Sequence, residues 1–523
     1  MTPYEWRLFR RRRYRLRVGR LNGGRLVAKA GRRVCVIERN NSVGGCASVF
    51  KKGALTIEPA LHQTADPRDP SEPKHEILKE LGLLDEIEWV PVSPFFSVQG
   101  GPVGDVFDLP VGFDAAREAM ARRFPGSRKG SDLLFDLLET VQAGVADLSR
   151  ARAEPSVGKL LRGILELRSL VGDWRASLDH VLARTLGDHE APKFAIAGNL
   201  GYYADDPRRM WWPFFALAQG GFLRAGGVFI KGGSRTLSMK LAKVVMKARG
   251  SVLLGREAIG VDTDARGRAA FVRYIDPKVP GAVVRMGAKV LFANCSPNVL
   301  AGLLGTPSRG DLERAYGARA LSTSLFTAHF GIGAPPVKFG LDRYGTIALP
   351  EWTAALRDIA ESAQLLAANP GNRLPSYGVA NYGAIDSGLA NGSPTLVSVV
   401  GLDRLSNWAG LTPQQEKDRR ERWLDAFQAA LDRNYPGFGG AVTERLFLNA
   451  RSMHNFLNTP DGAVYGFAPT PPRRGIWAGY PRSPRTPIPG LYLASSFGGS
   501  GGFTGAMMSG AAAARVAMRE RMT

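Results

Sequence analysis

The residues whose chemistry is easiest to interpret lie between positions 34 and 45. Residues 34–37, VCVI, form a short apolar run with β-branched side chains, which predicts a buried parallel strand. Glu38 follows directly, and a carboxylate there can accept hydrogen bonds from both hydroxyls of an adenosine ribose. Gly44 and Gly45 would let the backbone approach a pyrophosphate without a Cβ atom in the way. The pattern is typical of one half of a dinucleotide site. The same residues are also compatible with an ordinary surface glutamate that follows an ordinary strand.

A second glycine-rich stretch, TPIPGLYLASSFGGSGGFTGAMMSGAAAAR, occupies residues 486–515. Residues 491–493 predict a strand, the glycines after them a turn, and the small residues beyond a helix. Backbone amides at such a turn point toward the end of the strand, which suits the negative charge of a flavin and its phosphates. A similar turn, KGG at residues 231–233, could direct a helix capped by Ser234 toward an anion or a substrate.

Length and composition indicate which elements position these residues. The chain has 523 residues, of which 44% are hydrophobic and 62 are glycine. These values are typical of a globular α/β protein with room for two domains, or for one domain interrupted by another. The block from about residue 311 to 449 alternates predicted strands with one marked helix. We interpret it as part of a second domain inserted into the domain that carries the glycine turns.

Four stretches together resemble a known family: AKAGRRVCVIERNNSVGG, GGVFIKGGSRTL, DSGLANGSPTLVSVV and TPIPGLYLASSFGGSGGFTGAMMSG. The chain is similar to the phytoene dehydrogenase-like flavoproteins, which include carotenoid desaturases, carotenoid isomerases and retinol saturases within the amine-oxidase-like group. The resemblance covers nearly the whole chain from Ala28 onward. It implies an α/β fold in which a discontinuous Rossmann-type FAD-binding domain carries an inserted α+β substrate domain.

The resemblance also implies a division of the chain. The FAD-binding domain would comprise residues 1–105, 225–310 and 450–523, and the substrate or membrane-facing domain residues 106–224 and 311–449. We therefore expect the first, middle and last segments of the sequence to meet in space.

The cofactor implied is FAD. By similarity Glu38 would bind the adenosine ribose, Gly44 and Gly45 the pyrophosphate, Ala258 the adenine through its backbone, and residues 498–505 the ribityl and isoalloxazine region. The residues assigned to cofactor binding are Glu38, Arg39, Gly44, Gly45, Ala258, Ser496, Gly498, Gly499, Gly501, Gly502, Phe503, Thr504 and Gly505. One departure is present: many relatives carry an acidic residue just after the LYL strand, where this chain has two serines.

The chemistry implied is hydride transfer between the flavin and a carbon–carbon bond of an apolar isoprenoid or polyene. This reaction needs a dry apolar pocket more than an acid or base, and the sequence leaves the catalytic residues unassigned. None of the six histidines pairs with a cysteine or serine in a recognisable nucleophile arrangement. His62 could lie near the flavin, but a solvated or structural histidine is favoured. An amine-oxidase-like enzyme and a non-catalytic isoprenoid- or membrane-binding protein remain alternatives.

The formal net charge of +22 raises nucleic acid or an anionic membrane as a partner. However, nine arginines lie between residues 7 and 25, so the rest of the chain carries +13. Aromatic residues are not interleaved with basic ones as on a stacking platform, so we expect no nucleic-acid partner. Cys35, Cys46 and Cys295 are too few and too scattered for a disulfide framework or a metal site. A cytoplasmic location follows as the expectation.

Residues 210–223, MWWPFFALAQGGFL, form the most aromatic stretch. It suits an apolar substrate tunnel or a patch at the headgroup level of a bilayer, and a buried core helix is an equally compatible interpretation. No run approaches the roughly 18 apolar residues of a membrane span. Because an isoprenoid substrate dissolves in lipid, we expect peripheral membrane contact through this stretch.

The beginning of the chain departs from the family pattern. A strand and a GxGxxG turn should precede Glu38, yet residues 9–27 are FRRRRYRLRVGRLNGGRLV. An arginine codon CGN followed by C, read from its second base, becomes GNC, which encodes valine when N is T. The genetic code therefore permits VVVVIGSGLGGLTAAALL for residues 10–27 one base out of frame. We predict that this segment is an out-of-frame translation of the missing strand and turn, with a genuine basic arm as the alternative. A frameshifted product would bind flavin weakly or not at all.

Overall fold

The computed structural model describes Leu26 and residues 31–59, 62–153, 173–279, 281–389, 394–472, 483–499 and 501–520. The segment predicted to be out of frame, residues 10–27, lies outside the described residues except for Leu26. That leucine is buried in one cluster with Val36 and Met507. The first and last thirds of the sequence therefore contribute to the same core.

Within these ranges the chain alternates short strands and helices. The strands are β1 Cys35–Ile37, β2 Phe50–Lys52, β3 Leu55–Ile57, β4 Thr64–Ala65, β5 Trp89–Val92, β6 Phe96–Gly100, β7 Gly104–Leu109, β8 Gly227–Ile230, β9 Ser251–Leu253, β10 Glu257–Thr263, β11 Ala269–Ile275, β12 Val283–Gly287, β13 Leu291–Ala293, β14 Ser324–Ile332, β15 Gly345–Leu349, β16 Tyr377–Asn381, β17 Thr395–Asp403, β18 Val442–Leu448 and β19 Leu491–Leu493. The α-helices are α1 His75–Glu80, α2 Phe113–Arg123, α3 Arg128–Ala153, α4 Leu178–Leu186, α5 Glu190–Ala197, α6 Trp212–Ala225, α7 Ser234–Lys247, α8 Pro297–Ala301, α9 Thr306–Tyr316, α10 Ile359–Ser362, α11 Pro413–Asn434, α12 Ala450–Leu457 and α13 Gly502–Arg519.

Two pairs of parallel strands carry the predicted dinucleotide elements. The predicted strand before Glu38 is confirmed as β1, which pairs with β9 in the register Cys35 to Ser251. The predicted strand LYL is confirmed as β19, which pairs with β13. Ile37 lies in the same buried cluster as Leu491 and Leu493, so the two pairs share a core. Apolar residues without alternation suit such strands because both faces are covered.

A seven-stranded sheet with the order β18-β14-β17-β16-β15-β6-β7 forms the other large layer. Its neighbouring strands are antiparallel except for the parallel pair of β15 and β6. Helix α11 contributes Trp423 and Phe427 to one hydrophobic cluster of this sheet. Helix α5 contributes Phe194 to a second cluster, which also contains Val98 of β6. The mixed α/β class is therefore confirmed.

One boundary of the expected domain division cuts through this sheet. The division between residues 105 and 106 falls inside β7, which pairs with β6 in a hairpin. Both strands belong to the large sheet, because β6 also pairs with β15. The division into two domains stays a prediction, but its first boundary has to lie before Phe96.

Candidate functional site

A cavity of about 450 Å³ lies between the glycine turn of α13 and the large sheet. The predicted cofactor residues that line it are Gly44, Ser496, Gly501, Gly502, Phe503 and Thr504. Much of the remaining lining is apolar and includes Phe95, Phe96, Phe214, Phe222, Ile347 and Val379. Residues predicted separately for a flavin and for an apolar substrate therefore border one space.

The remaining predicted cofactor residues are not part of the cavity wall. Gly45, Gly498, Gly499 and Gly505 are close along the chain to residues that line it, and Glu38, Arg39 and Ala258 lie around the end of β1. Their assignment to FAD stays a prediction.

Glu38 and Ala258 come together at the carboxyl end of β1. The Glu38 amide donates to the carbonyl of Leu253, and the amide of Arg256 donates back to the Glu38 carbonyl, each over 2.8 Å. The Glu38 side chain is buried, and its Oε1 accepts a 2.8 Å hydrogen bond from the backbone of Asn40. Ala258 is two residues beyond Arg256 and packs against the cluster that contains Ile37. This proximity fits an adenosine held between the β1 end and the start of β10.

Two glycines at the cavity wall leave no room for a side chain. Gly44 has φ of +111°, and a Cβ atom there would lie 2.1 Å from the Ala47 carbonyl oxygen. Gly501 has φ of +79°, and its Cβ would lie 2.6 Å from the carbonyl oxygen of Tyr465. Because both positions need positive φ and close backbone contact, only glycine fits without strain. Bare backbone at the cavity wall is what a closely packed flavin requires, so these residues fit the group.

The glycine turn before α7 does not face an external anion, which corrects the expectation for residues 231–234. The N-cap of α7 is Gly233 rather than Ser234. The Ser234 amide donates to Oε2 of the fully buried Glu58 over 2.7 Å. Glu58 therefore supplies the negative charge that the helix N-terminus favours.

Lys231, in the same turn, is engaged by acidic side chains. Its Nζ lies 2.7 Å from carboxylate oxygens of both Asp386 and Glu88. The hydrogen bond to Asp386, followed by that to Glu88, raises the pKa of Lys231 to about 12. This lysine joins three chain segments at the surface.

The aromatic stretch around α6 divides between core and cavity. Trp212 and Phe215 are fully buried, so the expectation that they lie at a headgroup surface is wrong. Phe222 lines the cavity and stacks on Phe95 with ring centroids 4.9 Å apart. Leu217 also lines the cavity and is 38% exposed, so it borders both the cavity and the solvent. A helix with apolar residues on most sides is expected to be largely buried.

His62 is a buried residue of the cavity wall rather than a solvated one. Its ring centroid lies 5.7 Å from that of Tyr202 and 6.3 Å from that of Tyr382. Burial lowers the pKa of His62 to about 4, so the imidazole is neutral at pH 7. Its Nδ1 has no hydrogen-bond partner among the residues described by the structure. Burial also raises the pKa of Tyr202, which therefore stays protonated.

A buried ion pair at the cavity was not predicted from the sequence. Glu72 and Lys74 both line the cavity, and Nζ of Lys74 donates to Oε1 of Glu72. The same Nζ donates to Oγ1 of Thr504 over 3.0 Å. Lys74 immediately precedes the short helix α1, where a lysine gives no sequence signal of burial. The burial of Lys74 at the cavity becomes visible only in the tertiary structure, where α13 lies beside this segment.

The described ranges hold no group of three or more histidine, cysteine or acidic residues that could bind a metal ion. None of the helices in these ranges combines the length and apolar character needed to cross a bilayer.

Comparison with known proteins gave three informative relatives. Human all-trans-retinol 13,14-reductase is 26% identical over 261 residues, which are 49% of this chain and 42% of the human protein. The chain therefore spans less than half the length of this curated relative. An oxidoreductase from Methanosarcina mazei has a TM-score of 0.61 at 16% identity and covers 97% of this chain and 99% of its own. Cyclohexylamine oxidase from Brevibacterium oxydans has a TM-score of 0.58 at 13% identity, with 96% and 97% covered. No family model matches the chain.

The two solved structures show the fold: this chain folds like the Methanosarcina mazei oxidoreductase and like cyclohexylamine oxidase. The chain is thus similar in sequence to a retinol reductase and in fold to an oxidoreductase and to amine oxidases, which confirms the resemblance inferred from its motifs.

Proposed function

We propose that this protein binds FAD and transfers hydride between the flavin and a carbon–carbon bond of an apolar isoprenoid or polyene. The observation that carries the proposal is that Gly44 and the first turn of α13 line the same cavity as Phe95, Phe96 and Phe222. When bound, the flavin would supply the hydride chemistry. The curated relative is named for reduction of all-trans-retinol, a name that supports a polyene substrate.

The side chains around the cavity suit this chemistry by holding the substrate and excluding water. Phe95, Phe96 and Phe222 provide aromatic surface for a flat apolar chain. His62 is neutral at pH 7, and burial keeps the Tyr344 hydroxyl protonated by raising its pKa, so neither places a charge against the substrate. An apolar site made in this way favours hydride transfer over reactions that need a titrating base.

Cofactor binding and turnover can be tested on the purified protein. Flavin absorbance after reconstitution with FAD measures binding. Anaerobic incubation of the reduced protein with all-trans-retinol or a carotenoid, followed by mass spectrometry, detects a mass change of two hydrogens. Loss of two hydrogens from a saturated substrate, with an electron acceptor present, would identify a desaturase instead. A protein that binds FAD but changes no polyene would overturn the substrate assignment.

An amine substrate is the second candidate. Tyr202 and Tyr465 both line the cavity, and Tyr465 contacts the glycine turn of α13 through its carbonyl. Two aromatic rings near a flavin could cage an amine. Hydrogen peroxide production with a panel of amines, and none with polyenes, would support this candidate against the first.

Peripheral membrane contact remains part of the proposal, but within residues 210–223 it now falls on the exposed Leu217. Leu217 connects the cavity wall with the solvent, so a lipid-dissolved substrate would enter beside it. Leu217→Glu should reduce co-sedimentation with liposomes of anionic lipid, whereas Val283→Glu, at an exposed position of β12, should not. Equal sedimentation of both variants and the parent would argue against this entry point.

A further inference from the structure

Two side chains of opposite charge are buried in the wall of a largely apolar cavity. Lys74 is 1% exposed and Glu72 is 6% exposed. Removing both charges from water carries a desolvation cost that their attraction often fails to recover, so a buried ion pair is weak evidence for a stabilising role. The position of this pair suggests a role at the site instead.

A third contact links the ion pair to the first turn of α13. Nζ of Lys74 lies 3.0 Å from Oγ1 of Thr504, which is the third residue of α13. The N-terminus of an 18-residue helix already carries partial positive charge. Lys74 adds a full positive charge at the same point, on the cavity wall predicted to contact the flavin ring.

We propose that Lys74 raises the reduction potential of the bound flavin through its contact with Thr504, and that Glu72 limits the increase. This inference rests on the proposed function. Two-electron reduction places negative charge on a flavin ring at neutral pH, so a nearby cation stabilises the reduced form more than the oxidised form. A nearby carboxylate has the opposite effect. Lys74 is therefore a positioning residue that adjusts the reduction potential of the flavin. The electrostatic potential at the flavin depends on the charges of both Lys74 and Glu72.

The two partners should move the potential in opposite directions. Lys74→Met leaves the Glu72 carboxylate, so the potential should fall. Glu72→Gln leaves the lysine charge without its counter-ion, so the potential should rise. We expect each variant to change the equilibrium constant for two-electron reduction at least tenfold, which is about 30 mV. The double variant should return toward the parent value.

A matched control separates charge from packing. Lys193 is buried in α5 and pairs with Glu190 over 2.6 Å, but it does not line the cavity. Lys193→Met breaks a similar ion pair and should lower stability without changing the flavin potential. Redox titration against a reference dye, with thermal unfolding measured alongside, gives both quantities.

The outcomes distinguish this inference from the proposed function. A parent protein that takes up no FAD overturns both. Bound flavin with the same potential in the parent and in Lys74→Met overturns the tuning role alone. Shifts of the same sign in Lys74→Met and Glu72→Gln also overturn it, because general loosening of the site would then be the cause. If Lys74→Met does not fold, Glu72→Gln decides, and a potential that is unchanged or lower rejects the proposal.

Discussion

The carboxylate of Glu58 accepts a 2.7 Å hydrogen bond from the backbone amide of Ser234 at the first turn of α7. The two residues are 176 positions apart in sequence, and Glu58 is fully buried. A glycine turn whose sequence suggests a binding site for a ligand anion is thus occupied by a carboxylate of the same chain.

The first prediction concerns this contact. Glu58→Gln removes the charge from the helix N-terminus, and we expect a loss of about 1–2 kcal/mol in the free energy of unfolding. Urea denaturation measures the change, and flavin content should stay at the parent level. Unchanged stability together with lost flavin would show that this turn binds the cofactor after all. Thr412→Ala, which removes the side-chain cap of α11, is a matched comparison at a helix N-terminus.

The second prediction concerns pH. Burial is the main cause that lowers the pKa of His62 to about 4 and of His329 to about 3. The unfolded chain binds these protons near pH 6.5, so stability is fully present above that value and falls as pH decreases toward 4. The loss for His62 is on the order of 3 kcal/mol. Thermal unfolding between pH 4 and 8 measures it, and His329→Gln should flatten the pH dependence. An equal slope in the variant would contradict the assignment.

The third prediction concerns the apolar wall. Phe222→Ala removes the ring stacked on Phe95, and we expect kcat/KM for a polyene to fall about 10- to 200-fold. Flavin content should remain at the parent level, because Phe222 is not among the residues predicted to bind the cofactor. Leu133→Ala, at an exposed position of α3, should leave turnover unchanged. Turnover that is the same in both variants would place the substrate elsewhere.

The fourth prediction concerns the beginning of the chain. In the described ranges, the strand pairs β1–β9 and β13–β19 are not hydrogen-bonded to each other, although Ile37 and Leu493 share one core. A restored strand and GxGxxG turn from residues 10–27 would supply the elements that a dinucleotide fold requires beside Glu38. The frame-restored protein should purify yellow with bound flavin, whereas the chain as printed should purify colourless and take up flavin only on reconstitution with excess FAD.

Nucleotide sequencing provides the independent check on this frame. Codons for residues 10–27 that cannot encode GSGLGG one base over would reject the prediction. Equal flavin content in both proteins would instead support a genuine basic arm.

The local pattern of the sequence was enough for the elements that carry the predicted cofactor residues. The run before Glu38 and the LYL strand are both confirmed as short parallel strands, because consecutive apolar residues bounded by turns specify a strand buried on both faces. The glycine turn and the α13 helix followed from residue types as well. Periodicity, turn residues and small side chains act over a few positions, so they are visible in the sequence itself.

The tertiary structure alone decided which side chains meet. Lys74 and Thr504 are 430 positions apart, and no local pattern indicates that a lysine near α1 contacts the first turn of α13. The burial of Trp212 likewise depends on the helices that cover it, since an aromatic stretch has the same sequence in a core and at a membrane surface. Burial and ion pairing depend on residues that the whole fold brings together. The distances between such residues are set by tertiary packing and cannot be obtained from local sequence patterns.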